Sequence, residues 1–298
     1  MNWKLKKPDM VQEAAQTGGK NIILEILMFI GVFFVASIFQ YIPTLVVGVS
    51  GLVTYDGLMM VHLYGTVIMT LITMLFCKVI QKRKMRTLGF KKPGMWKEYG
   101  IGLLVGFGMM AVIVVAGMVT GSLTLVFNPE AATAAGIGSL VLLFFGFVLQ
   151  GMSEEVLCRS YFLVSLARKK GYIWMAVIVN ALAFAALHLG NAGIAPLAFV
   201  NLILFGIFAS VYFVKRGNIW GIAAIHSIWN FAQGNIFGIL VSGNDFGTTV
   251  FESEINESMT LVNGGDFGLE GGILVTIVLV VGTVVMLMTK QKDVAEEA

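Results

Sequence analysis

Eight runs of apolar residues, each long enough to cross a lipid bilayer as one helix, set the main constraint on this chain. Backbone groups in lipid must be paired internally, which only helices and closed barrels achieve. The runs are about 20 residues long and lack the short alternating pattern of barrel strands, so we expect an all-α fold, a polytopic membrane helix bundle of about eight transmembrane helices. The predicted spans are roughly 22–41, 59–80, 99–120, 137–158, 172–190, 196–214, 219–239 and 270–289.

The composition excludes a soluble globular protein. The chain is 57% hydrophobic and 12% charged, whereas soluble domains carry about 25% charged residues. Its 35 glycines suit a bundle in which membrane helices approach closely. Cys77 and Cys158 both lie inside apolar runs, so we expect two buried thiols and no disulfides.

The basic residues predict the orientation of the bundle. The stretches 1–21, 81–98, 159–171, 215–218 and 290–298 alternate to one side of the membrane and hold 19 of the 20 lysines and arginines, Lys78 being the other. The loops on the opposite side hold acidic residues and no basic ones. Because basic loops stay in the cytoplasm, we expect a multi-pass protein of the cell membrane with both termini cytoplasmic.

Ionisable residues inside membrane helices are costly and therefore suggest function. The first such group is Glu154, Glu155 and Arg159, near the end of the fourth run. Glu155 and Arg159 are spaced i, i+4, so they can form an ion pair on one helix face. Two adjacent carboxylates repel unless a cation stabilises one of them, which leaves the other suited to act as a base.

Two further pairs follow at the same spacing, Phe184 with His188 and His226 with Asn230, and Asn201 is another amide in an apolar run. Each feature taken singly has a structural explanation: an ion pair at a helix end, a histidine bonded to a carbonyl, or a hydrogen bond between helices. Their occurrence together in one half of the chain favours a functional site.

The three spaced motifs resemble the CPBP family of intramembrane peptidases, which includes proteins similar to the type II CAAX prenyl endopeptidase. The resemblance covers about 137–239 and predicts three parts: 1–136, a cytoplasmic tail and three transmembrane helices; 137–239, a catalytic core of four helices; and 240–298, an outer loop, the last helix and a cytoplasmic tail. We expect the 240–269 loop to be solvated and without chemistry.

The resemblance implies an endopeptidase that cleaves a membrane-associated protein or peptide. Glu154 and His188 would activate water, His226 and Asn230 would stabilise the oxyanion, and Glu155 and Arg159 would order the site with Phe184 and Asn201 in support. Zinc held by Glu154, His188 and His226 is one form of this mechanism and a metal-free mechanism is the other. We expect membrane lipid and the substrate as partners, and no nucleic acid.

Two other functions remain open from the residues: a non-enzymatic membrane scaffold or immunity factor on the same fold, and a proton-coupled transporter. A single site also requires the polar residues to converge in depth. We expect the fourth helix to continue to Ala167, which lifts Glu154 further into the membrane by about 12 Å. The cavity that holds the site is expected to open to the cytoplasm.

Overall fold

A computed structural model describes residues 5–19, 21–51, 53–168 and 173–291 of the chain. Each of the eight predicted spans corresponds to a helix within these residues. The helices are α1 Ile22–Ser50, α2 Tyr55–Val79, α3 Met95–Thr120, α4 Ala134–Ala167, α5 Ile173–Leu187, α6 Pro196–Arg216, α7 Trp220–Phe231 and α8 Ile273–Met288. Parts of the predicted cytoplasmic tails lie outside the described residues, namely 1–4 and 292–298. The basic residues Lys169 and Lys170 also lie outside them.

Length and composition separate seven of these helices into two groups, and α7 belongs to neither. Five of them are long and apolar enough to cross a membrane, namely α1, α2, α3, α4 and α6, while α5 and α8 are shorter apolar helices. The π-helical segment Ala232–Ile236 extends α7. The all-α membrane bundle is thereby confirmed, whereas the predicted orientation and the three-part division stay predictions.

The fourth helix has the length that the depth argument required. It begins at Ala134, where the Thr133 hydroxyl accepts a hydrogen bond from the Gly136 amide at 3.0 Å, and continues to Ala167. Near its end, the segment Val156–Leu163 is a π-helix in which every residue is buried. Glu154 and Glu155 come directly before this segment, and single π turns are frequent at functional sites.

Helix α7 packs closely against α3 and α4, and glycines make this possible. A Cβ on Gly102 of α3 would lie 2.2 Å from the Gly221 carbonyl oxygen, and one on Gly151 of α4 would lie 2.5 Å from Ser227 Oγ. The backbones can approach only because these positions carry no side chain. Every residue from 221 to 230 of α7 is buried as a result.

The acidic loop 240–269 is exposed or half-buried along most of its length, as expected of a solvated segment, and it is also folded. Strand β1, Leu123–Phe127, pairs antiparallel with strand β2, Phe251–Ile255. Phe267 and Leu269 are fully buried, and this burial fixes the loop against the helices because apolar side chains leave water there.

Cys77 and Cys158 are both buried and free, as expected for thiols in apolar runs. A buried polar network centred on Arg83 lies near Cys77. Arg83 donates to the carbonyl oxygens of Ser160 at 2.8 Å and Tyr161 at 3.3 Å, which ties the loop after α2 to the π-helical part of α4.

Candidate active site

The buried carboxylate of Glu155 lies at the centre of the predicted site. Its Oε1 accepts hydrogen bonds from Arg159 Nη1 at 2.9 Å and from His226 Nδ1 at 2.8 Å. The side chains of Glu155 and Arg159 are both 0% exposed. The predicted ion pair is therefore present, and the carboxylate also orients an imidazole from another helix.

Two aromatic rings cover the guanidinium group of Arg159. Its Cζ lies 4.6 Å from the centre of the Phe184 ring and 5.9 Å from that of Phe205. A cation over an aromatic face is stabilised by the ring quadrupole, most strongly away from water. Phe184 thus supports the ion pair from α5, in keeping with its predicted supporting position.

Glu154 has a different environment from its neighbour. Its side chain is 27% exposed, and its Oε2 lies 3.8 Å from His226 Nε2. That separation is too long for a direct hydrogen bond. The two adjacent glutamates are thus divided as the sequence suggested, one held in an ion pair and the other open to the cavity.

Gln150 connects Glu154 to Asn230, and it was not predicted from the sequence. The Gln150 side-chain amide donates to Glu154 Oε1, and its Oε1 accepts from Asn230 Nδ2 at 3.0 Å. Gln150 precedes Glu154 by four residues, so its i, i+4 position was the signal that could have identified it.

His188 follows the last residue of α5. Its Nδ1 lies 2.9 Å from the Phe184 carbonyl oxygen. A carbonyl can only accept, so this bond assigns the proton to Nδ1 and leaves Nε2 of the neutral ring as an acceptor. His188 thus has the hydrogen bond expected of a structural histidine, and its Nε2 has no bonded partner among the residues that the structure describes.

One cavity of about 430 Å³ brings the predicted residues together. Glu154, His188, His226, Asn230 and Asn201 all line it. Side chains from four separate helices or their ends thus share one space, as the hypothesis of a single site requires.

The loop residues in the cavity wall belong to the acidic side of the bundle, among them Asn191, Ser242 and Asn244. No residue of the described basic loops lines it. The expected opening on the basic, cytoplasmic side is therefore not supported.

Residues 136–232 match the family model described as Type II CAAX prenyl endopeptidase Rce1-like. This segment is similar to that family, and we refer to it as the Rce1-like segment. The family expected from the motifs is thereby confirmed for the segment, and the match indicates a CAAX-type membrane protease. No curated protein and no solved structure matches the chain.

The Rce1-like segment contains every residue that the sequence analysis placed in the site, and also Gln150. It does not contain Glu270, a further carboxylate that lines the same cavity from the turn before α8. Its place at the edge of an apolar run carried no sequence signal of function. Only the folding of the outer loop brings it to the cavity.

Asn201 of the Rce1-like segment lies apart from the glutamate pair. Its Nδ2 donates to the carbonyl oxygens of Glu270 at 2.8 Å and Gly272 at 2.9 Å, and its Oδ1 accepts from Thr276 at 2.6 Å. Asn201 therefore joins α6 to the beginning of α8.

The donor set does not match a three-ligand zinc site in this arrangement. Within the described ranges, no three histidine, cysteine, aspartate or glutamate side chains lie close enough together to hold a metal ion. Catalytic zinc commonly takes three protein ligands and one open position. Zinc held by Glu154, His188 and His226 stays the alternative form of the mechanism, and the metal-free form is the one proposed.

Proposed function

We propose that the protein is an intramembrane endopeptidase that hydrolyses a peptide bond of a membrane-associated protein or peptide. One observation carries the proposal: Glu154 and His226 face each other across 3.8 Å on the wall of a 430 Å³ cavity, with the buried Glu155–Arg159 pair behind them. Polar groups in membrane helices are costly unless they line such a space.

Glu154 is the general base in this proposal. Its partly exposed carboxylate accepts a proton from water while the water oxygen attacks the carbonyl carbon of the substrate. His188, whose Nε2 is an acceptor, holds the same water or receives its proton. The proton then passes to the amide nitrogen as the C–N bond breaks, so the products are a carboxylic acid and an amine.

His226 and Asn230 supply donors for the oxyanion. Asn230 uses one N–H for Gln150 and has a second N–H available. When the His226 ring carries both protons, Nδ1 donates to Glu155 and Nε2 can donate to the substrate oxygen. Donors that are already oriented stabilise the developing charge without reorganisation.

Glu155 and Arg159 are positioning residues. Their buried ion pair fixes the His226 ring through the hydrogen bond to Nδ1. It also keeps the Glu155 carboxylate paired with Arg159, apart from the Glu154 carboxylate. This division gives neighbouring glutamates different tasks, because one is neutralised by a cation and the other is free to take a proton.

The test compares Glu154→Gln with the wild type. Purified protein in lipid nanodiscs is incubated with a library of internally quenched peptides, and cells that carry either form are analysed for uncleaved membrane-associated precursors. We expect the glutamine variant to lose at least about 10²-fold in rate, which is the usual contribution of a general base. Precursors should accumulate in its cells.

Glu252→Gln is the matched control, because Glu252 is an exposed carboxylate on β2, away from the cavity lining. It should cleave like the wild type. A lost cellular phenotype with an unchanged set of membrane peptides would instead support the scaffold or immunity function, and lost uptake or efflux would support the transporter.

The orientation is part of the proposal. The charge asymmetry of the loops supports a cell-membrane protein with both termini in the cytoplasm. Cysteines introduced into the acidic loop at Ser258, and into the basic loop at Lys92, should react with an impermeant thiol reagent from outside and inside, respectively. The opposite pattern would reverse the assignment.

A further inference from the structure

Glu270 is a carboxylate in the wall of the cavity that the proposed mechanism does not use. It lies between Leu269 and Gly271 in the turn before α8 and lines the same space as Glu154, His188 and His226. Glu270 lies on the acidic-loop side of the bundle. The buried Glu155–Arg159 pair lies in the half of α4 that leads to the basic side.

Hydrogen bonds hold the carboxylate in one position. Glu270 Oε2 accepts from the Ser242 amide at 2.6 Å, from Ser242 Oγ at 2.9 Å and from Gln233 Nε2 at 3.4 Å. Among the described residues, Oε1 has no hydrogen-bond donor. One oxygen is thus anchored to the protein and the other remains available to a ligand.

The backbone around Glu270 is held as firmly as its side chain. Asn201 donates to the Glu270 carbonyl oxygen at 2.8 Å. Gly268 has a φ of +85°, and a Cβ there would lie 1.9 Å from the Leu240 carbonyl oxygen. Only glycine permits this tight turn, which places the next residues against the cavity.

The remaining wall of the cavity lacks a strong cation. Its charged side chains are Glu154 and Glu270, it contains the three histidines, and no lysine or arginine of the described chain lines it. Arg159 is 0% exposed and paired with Glu155. The wall therefore offers no fixed cation to a free C-terminal carboxylate, and it offers an anion to a basic side chain.

We propose that Glu270 forms a specificity subsite that binds a lysine or arginine side chain of the substrate. The inference rests on the proposed peptidase function and names its substrate class: membrane-associated segments with a basic residue near the scissile bond. A charge-assisted hydrogen bond to Oε1 would select such segments, and its strength exceeds that of a neutral bond.

The experiment uses neutral, internally quenched peptides in which a single lysine is moved along the sequence, each matched to a glutamine peptide. They are incubated with wild type, Glu270→Gln and Glu252→Gln in nanodiscs at mildly alkaline pH. In the wild type, we expect kcat/KM to favour lysine at one position by about 10-fold or more. Glu270→Gln should reduce that ratio to about one.

Cleavage of the glutamine peptides distinguishes a subsite from a purely structural role of Glu270, and the subsite predicts the following result. Glutamine can still accept from Ser242, so the turn should persist, and cleavage of the glutamine peptides should be unchanged. An equal loss on both peptides would overturn the subsite. Should the variant fail to fold, the wild-type ratio decides: no preference for lysine at any position would overturn the inference.

The two proposals fail in distinguishable ways. Cleavage that depends on Glu154 but shows no preference for lysine removes the subsite and leaves the peptidase. Absence of any cleavage that depends on Glu154 removes the peptidase, and with it the subsite.

Discussion

Replacement of Arg159 by methionine tests whether the buried ion pair holds the site together. Methionine retains much of the length of arginine but leaves Glu155 as a buried carboxylate with His226 as its remaining partner. The expected result is a less stable protein with little activity, because an uncompensated buried charge disfavours the folded state.

The contacts of Arg159 set the size of the destabilisation expected for Arg159→Met. Removal of one member of a buried pair costs about 3–5 kcal/mol, and loss of the contact with Phe184, at 4.6 Å, adds to that cost. Within the described part of the chain, Arg159 Nε and Nη2 have no hydrogen-bond partners, so their removal recovers about 1–3 kcal/mol. The net destabilisation is therefore about 3 kcal/mol.

The double variant Glu155→Gln/Arg159→Met separates stability from activity. It removes both charges, so it should recover most of the lost stability, since replacing a whole buried pair is often close to neutral. It should remain inactive, because a neutral amide at 155 no longer stabilises the doubly protonated His226 ring that donates to the substrate oxygen. We expect a loss of about 10²-fold from the loss of this donor.

Cys77 and Cys158 provide the assay. Both thiols are buried and free, so a fluorogenic thiol reagent reports unfolding of the purified protein during heating. A loss of about 3 kcal/mol corresponds to a fall in Tm on the order of 6–12 °C. A single variant that melts and cleaves like the wild type would refute the argument from the buried pair.

Three other predictions concern the cavity. Gln150→Leu should lower kcat by about 10-fold with an unchanged Tm, because Glu154 and Asn230 lose their common partner; equal kcat values for variant and wild type would contradict the link. Incubation with a strong zinc chelator should leave the peptidase rate unchanged, since no three suitable side chains lie together within the described ranges; a loss restored by zinc would establish the metal alternative. Burial raises the pKa of the Glu270 carboxyl above the ordinary 4.5, opposed by hydrogen bonds from Ser242 and by the nearby His188 and His226. A raised pKa keeps the carboxyl neutral to a higher pH, so the preference for lysine peptides should be absent in acid and appear as pH rises, with a midpoint above 4.5; a preference independent of pH would exclude Glu270 as its source.

Local rules were sufficient for the helices and for part of the site. Hydropathy and run length identified the eight helices because a bilayer imposes one length and one polarity on every spanning segment. The i, i+4 spacing of Glu155 and Arg159 predicted their pairing, because neighbours on a helix surface are determined by sequence distance alone. The continuation of α4 to Ala167 followed from the need to bring polar residues to one depth.

Tertiary structure decided the contacts between residues that are distant in the sequence. Asn201 reaches the Glu270 carbonyl across 69 positions, and Ser242 reaches its carboxylate across 28. No helical periodicity relates such residues, so the partners of Asn201 were not predicted and Glu270 was missed. The folded acidic loop was missed for the same reason: hydropathy describes which segments enter lipid, but the packing of chain outside it depends on backbone turns and on partners supplied by other helices.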